Sequence, residues 1–170
     1  PHALAVAAQC PDRVRDVHLV AGATPPALTD DVPADRRLLE TLAVRVPRLL
    51  GGVLRLQTAV AARAAPSFVT SLYTSDDAPP VPDDVASVVH RDFLDATRAT
   101  RQGAVAELAA LATDWDVPLD RVTVPVTLHH GTADENVPLA AARRLADRLP
   151  DATLREVPDA DHLRTLTRTR

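Results

Sequence analysis

A chain of 170 residues with net charge -4, no Met and a single Cys has the length of one domain with one sizeable core. Acidic and basic residues alternate rather than cluster, which argues against nucleic acid or an anionic membrane as partner. No apolar run approaches the roughly 18 residues of a membrane span, no signal-peptide layout opens the chain, and lone Cys10 cannot form an internal disulfide, so the expectation is a cytoplasmic protein.

In chain order, residues 2–9 have high helix propensity and are apolar almost all round, which predicts a helix buried on most sides. Pro11 stops it. Residues 14–20 then read as a short strand running into the Gly/Pro turn of residues 21–26. From residue 29 to 112 the spacing becomes helical, through Leu38, Leu39, Leu42, Val46, Leu49 and Leu50, with Pro47 and Gly51-Gly52 as expected kink or break points. A second helical stretch covers 53–64, a Pro/Asp/Ser-rich loop covers 74–84, and helical patterning resumes over 85–111 with Gly103 as a weak point. This is a helical insertion between strands.

The α/β rhythm returns at Val122. Pro125 cannot donate to a sheet ladder, which places the paired strand at residues 126–130. Pro138 suits a first helical turn, and Leu139, Ala142, Leu145, Ala146 and Leu149 form one apolar stripe ending at Pro150. Residues 153–157 form the next strand. A strand, a helix of this length and a strand read as a parallel crossover.

Asp134 follows the first of these strands and His162 follows the second, so both fall on one edge of the sheet, where α/β folds gather functional groups. A carboxylate there can accept a hydrogen bond from one imidazole nitrogen and leave the other to take a proton from a nucleophile. Taken singly, an Asp before a helix is an ordinary cap and a His in a polar loop is ordinarily solvated. A metal reading of His129, His130, Asp134, Asp159, Asp161 and His162 is disfavoured. The histidines lack helical ligand spacing, and adjacent strand residues point to opposite faces.

The segment His130-Gly131-Thr132-Ala133-Asp134-Glu135-Asn136-Val137-Pro138 resembles the acid-bearing turn of the α/β-hydrolase superfamily, most closely its proline-iminopeptidase-like and esterase-like members. The run from Leu149 through Asp161-His162 is similar to the segment carrying that family's histidine, with Asp161 where Gly is usual. Pro1-His2-Ala3-Leu4-Ala5 resembles the start of the helix after the family's nucleophile elbow. The resemblance implies an α/β fold, the C-terminal portion of an α/β-hydrolase, with about three parallel strands, flanking helices and a helical cap insertion. Its implied parts are core over residues 1–28, cap or lid over 29–112, and core again over 113–170 with the acid and histidine loops.

The resemblance further implies catalytic roles for Asp134 and His162, a serine-type attack on an ester, amide or similar bond in a small-molecule substrate, and no cofactor or metal. The family's nucleophile and oxyanion-hole donors would precede Pro1, so the missing N-terminal part of the fold becomes an expected partner, and the chain alone is expected to be inactive. The five glycines form no G-x-S-x-G, which leaves Ser67, Ser71, Ser75 and Ser87 as loop or helix residues. Cys10 reads as a small buried thiol. Asp161 would favour a protonated imidazole beside it, and Trp115 is expected to pack the cap against the sheet. The alternative is a non-catalytic binding or interaction protein built on the same fold.

Overall fold

The computed structural model describes residues 1–30, 32, 34–75 and 78–169. Three parallel strands, β1 (Val17–Val20), β2 (Val126–Gly131) and β3 (Ala152–Val157), form one sheet in the order β1-β2-β3. The described helices are α1 (His2–Gln9), α2 (Ala34–Arg45), α3 (Pro47–Ala61), α4 (Pro66–Thr70), α5 (Asp83–Arg98), α6 (Gln102–Ala112), α7 (Leu139–Arg148) and α8 (His162–Arg168). The chain divides into two compact units, one made of Pro1–Pro33 and Thr113–Arg170, the other of Ala34–Ala112. The expected α/β class, with three parallel strands and flanking helices, is what the structure shows.

In the first unit the pairing register aligns Val17 with Val126 and Val126 with Ala152. Since alternate strand residues share a face, Val17, Val126 and Leu128 project together into a core with Leu4 and Ala7 of α1 and Leu145 of α7. Burying each Leu or Val contributes about 1.5–3 kcal/mol, and this cluster fixes where the sheet sits against α1 and α7. Pro125 falls just before β2, where its missing N–H costs nothing and its carbonyl accepts from Val17 N at 2.9 Å. The crossover from β2 through α7 to β3 is parallel, as the strand–helix–strand spacing predicts.

Two expectations for the start of the chain are corrected. Helix α1 buries only the face of Leu4 and Ala7, while Val6 is 54% exposed. An eight-residue helix of mostly Ala has little side-chain bulk to cover on its other faces. Cys10, expected to be buried, is exposed. It lies just beyond the end of α1, past the last residue of the buried face.

The helical unit also departs from its reading in detail. The chain breaks at Val46, where Pro47 begins α3, but Gly51 and Gly52 lie inside α3 without interrupting it. Leu50, Leu54, Thr58 and Ala61 recur on one buried face, and that packing outweighs the roughly 1 kcal/mol that each interior Gly costs. The expected single run over 85–111 is two helices, with the break at residues 99–101 and Gly103 already inside α6. Helix α4, opened by Pro66 at its first turn, was not legible as periodicity in so short a segment. Of the loop expected at 74–84, Asp76 and Asp77 lie outside the described residues, and α5 begins at Asp83. Among the described residues no helix is long and apolar enough to cross a membrane.

Candidate active site

Asp134 stands three residues beyond β2, and His162 opens α8 a short loop beyond β3. Both therefore lie past the carboxyl ends of adjacent parallel strands. His162 Nδ1 lies 2.9 Å from Asp134 Oδ2, across 28 residues of sequence. The Asp134 side chain is fully buried, while that of His162 keeps 21% of its surface exposed. One end of the pair is thus fixed in the protein interior and the other is reachable.

The carboxylate is over-determined by its surroundings. Asp134 Oδ1 accepts from the backbone N–H groups of Asn136 and Val137, both at 2.9 Å, closing the turn that follows β2. This is an Asx-type turn carried by one oxygen, not the helix cap an Asp at this place could have been, since α7 begins at Leu139 behind Pro138 and has no side-chain cap. The other oxygen, Oδ2, faces His162. A carbonyl or carboxylate only accepts, so Nδ1 of His162 is the donor and its neutral tautomer keeps a lone pair on Nε2.

The two loops carrying the pair are stitched to each other. Thr132 N donates to Val157 O at 3.1 Å, Ala133 N to Ala160 O at 3.0 Å, and Asp159 N to Thr132 Oγ1 at 2.9 Å. Gly131 is required at their closest approach. A Cβ there would stand 2.0 Å from Ala160 O and 2.4 Å from Thr165 Oγ1, distances no side-chain carbon tolerates. Asp159 accepts the left-handed backbone (φ 52°) that turns the histidine loop, a conformation Asp adopts more readily than most residues.

Asp161, where the resembling family has Gly, is the N-cap of α8. Its Oδ1 accepts from Arg164 N at 2.7 Å, and its Oδ2 is paired with the Arg164 guanidinium. The side chain is buried, 3% exposed. The expectation that its charge acts on the neighbouring imidazole meets a different arrangement, in which the carboxylate is compensated by Arg164 and the helix N-terminus. Thr165 secures the same turn, its hydroxyl donating to Asp161 O at 2.7 Å.

The remaining polar candidates separate as strand alternation requires. His130 is buried at 2% exposure, its Nε2 2.8 Å from Val137 O and 3.5 Å from Asp134 Oδ2. His129 points to the other face of the sheet and stacks on His18, ring centroids 5.8 Å apart. Burial, followed by the charges of His18 and Arg155, holds the His129 imidazole below its ordinary value. Among the described residues no group of three or more His, Cys, Asp or Glu side chains is placed to hold a metal ion. Trp115 packs against the sheet-side core and lines a cavity of about 350 Å³ with Pro25, Leu28 and Pro118.

From sequence, His130 stands as the first residue of the acid-bearing turn and as a disfavoured metal ligand, with no further role given to its side chain. Its inward direction was legible, because Val126, Leu128 and His130 alternate onto one face, but its acceptor, a backbone carbonyl, carries no sequence signature.

A family model described as alpha/beta hydrolase fold matches residues 1–168. The chain belongs to the α/β-hydrolase fold family. Among solved structures it is similar to a thermophilic esterase from Thermogutta terrifontis, with TM-score 0.61, 21% identity, and 98% of this chain and 56% of that chain covered. It is also similar to an enol-lactonase from Burkholderia xenovorans LB400, with TM-score 0.59, 22% identity and coverage of 98% and 56%. At those identities the likeness is one of fold. A curated relative, a pimeloyl-[acyl-carrier protein] methyl ester esterase from Aromatoleum aromaticum, is 49% identical over 69 residues, which is 41% of this chain and 27% of that protein. The chain thus spans about half the length of these solved structures, and its match to the curated relative spans about a quarter of that protein.

Proposed function

We propose that these residues supply the acid and the base of an ester-hydrolysing enzyme, with His162 as general base, Asp134 as the residue that orients it, and the helical unit as a cap. The observation that carries this reading is the 2.9 Å contact between His162 Nδ1 and a fully buried Asp134 carboxylate. With Nδ1 donating to Asp134, Nε2 of His162 takes the proton of an attacking hydroxyl, and Asp134 stabilises the imidazolium that forms. The same nitrogen then protonates the leaving alcohol. Water repeats the cycle on the acyl-enzyme.

The nucleophile in this reading is a serine outside the 170 residues, because the chain contains no G-x-S-x-G and its family matches are about twice as long. A carboxylic ester is the bond class favoured, since an esterase stands among its relatives with 49% identity over the matched segment. The scissile bond needs no metal or cofactor under this mechanism, only the oxyanion-hole donors that accompany the nucleophile.

A fluorophosphonate probe tests the assignment. Stoichiometric serine labelling is expected in the gene product that includes the nucleophile segment, and not in the 170-residue chain alone. Labelling of the chain alone at Ser67, Ser71, Ser75 or Ser87 would overturn it.

A further inference from the structure

The strand leading into the acid loop carries a histidine that the triad chemistry does not use. His130 is the last inward-facing residue of β2 before the Gly131 close approach, and it is almost completely buried. Its Nε2 lies 2.8 Å from the carbonyl oxygen of Val137, seven residues on, and 3.5 Å from Asp134 Oδ2. A carbonyl oxygen cannot donate, so Nε2 carries a proton in every charge state of the ring. That proton therefore points at the mouth of the turn in which Asp134 is held.

We propose that His130 is a positioning residue for the Asp134–His162 pair, its Nε2–H clamping Val137 to the end of β2 and placing a positive edge beside the Asp134 oxygen that receives His162. The inference rests on reading Asp134 and His162 as an acid–histidine pair.

The geometry shows why the clamp matters. Asp134 Oδ1 is anchored by the N–H groups of Asn136 and Val137. Those donors belong to the turn, so they hold the carboxylate only as firmly as the turn itself is held. One side of the turn is tied to the histidine loop through Thr132 and Ala133. The other side, at Val137, is tied back to β2 by His130. Without that bond a buried carbonyl loses its partner and the Asn136-Val137 segment can shift, carrying Oδ1 and hence the aim of Oδ2 with it. The 3.5 Å approach of Nε2 to Oδ2 adds a dipole that opposes rotation of the carboxylate away from His162.

Nuclear magnetic resonance of the intact chain tests this without depending on turnover. In the unaltered chain a long-range ¹H–¹⁵N correlation is expected to show neutral His130 as the Nε2–H tautomer, and His162 to show a low-field Nδ1–H resonance from its bond to Asp134. His130→Phe keeps the ring volume and removes the donor. It is expected to speed water exchange of the His162 Nδ1–H by about tenfold or to abolish the resonance, while amide signals of Leu4, Val17 and Leu145 stay in place. His130→Gln, whose amide nitrogen can reach the place of Nε2, is expected to retain the resonance.

A purely space-filling role would give the reverse order, with Phe tolerated and Gln not. That result would overturn the proposal, as would a neutral His130 carrying its proton on Nδ1 in the unaltered chain, a reading that decides the matter even if His130→Phe does not fold. An esterase assay separates the two ideas. Absence of hydrolysis by the complete enzyme, with the tautomer and the variant order as expected, contradicts the hydrolytic function and leaves the positioning role standing.

Discussion

The acid and histidine loops and the helical unit are built on opposite principles. Around Asp134 and His162, position is set by hydrogen bonds of 2.9 to 3.1 Å between loops, backed by a glycine with no room for a side chain. The helical unit is held instead by apolar packing around Ala43, Leu50 and Leu54. Its polar bonds are mostly side chain to backbone within one helix, such as Thr58 Oγ1 to Leu54 O and Thr97 Oγ1 to Phe93 O, which add little to helix placement. It also leaves Leu49, Val53, Leu56 and Val60 exposed along one side of α3. The first region is sensitive to the identity of single atoms, the second to volume. The proposed chemistry falls in the first, because a base must be aimed to within a fraction of an ångström.

The sharpest way to break this contrast is Asp134→Asn. The amide oxygen can keep the bonds from Asn136 and Val137, but the amide NH₂ cannot accept from His162 Nδ1, so the imidazole turns to the wrong tautomer. A loss of about 10⁴-fold in kcat of the complete enzyme is expected, with a melting temperature close to that of the unaltered protein. An equal loss of stability would mean that the carboxylate is structural.

Two substitutions of similar size probe the two regions for different reasons. Leu50→Ala removes a fully buried side chain from the helical unit and is expected to cost about 2–5 kcal/mol in urea unfolding, with no new polar demand. Gly131→Ala adds one methyl group and is expected to cost about 3 kcal/mol, because the atoms it meets include the backbone of the histidine loop. If Gly131→Ala were tolerated at under about 1 kcal/mol, the close approach of the two loops would not be rigid.

A smaller effect is expected from acid. Burial and its cationic neighbours depress the His129 imidazole in the folded chain, so on acidification the unfolded chain takes up the proton first. The folded state should lose stability as pH falls below about 6.5 and stop losing it once pH passes the folded value. His129→Gln should flatten that part of a stability–pH curve measured by denaturant melts. Smallest of all is Leu56→Ser on the exposed side of α3, where residue 56 is 68% exposed. A change within about 0.5 kcal/mol is expected by thermal melting, and a larger one would show that the side chain is packed.

The sheet was legible because its signals are local and redundant: Pro125 marking where the paired part of β2 can begin, the Pro138 start and Pro150 stop of α7, and the strand–helix–strand spacing that reads as a parallel crossover. Asp134 and His162 were legible as a pair for the same reason, since strand ends fix where loop residues emerge. The parts that were not legible depend on tertiary partners. Gly51 and Gly52 read as a break, and only the packing of Leu50 and Leu54 keeps α3 continuous through them. Cys10 read as buried by composition, and its exposure follows from where α1 ends. His162 read as a loop residue, whereas Asp161 caps a helix that begins at it. The Val137 carbonyl that fixes His130 has no side-chain signature at all.

The central claim is that His162, aimed by Asp134, is the base of an ester hydrolase. Its most direct test is kcat/KM for a p-nitrophenyl ester in the complete enzyme carrying His162→Gln. A loss on the order of 10⁴–10⁶-fold with an unchanged melting temperature is expected. Activity within tenfold of the unaltered enzyme, by the arithmetic of about 1.4 kcal/mol per decade, would contradict the account.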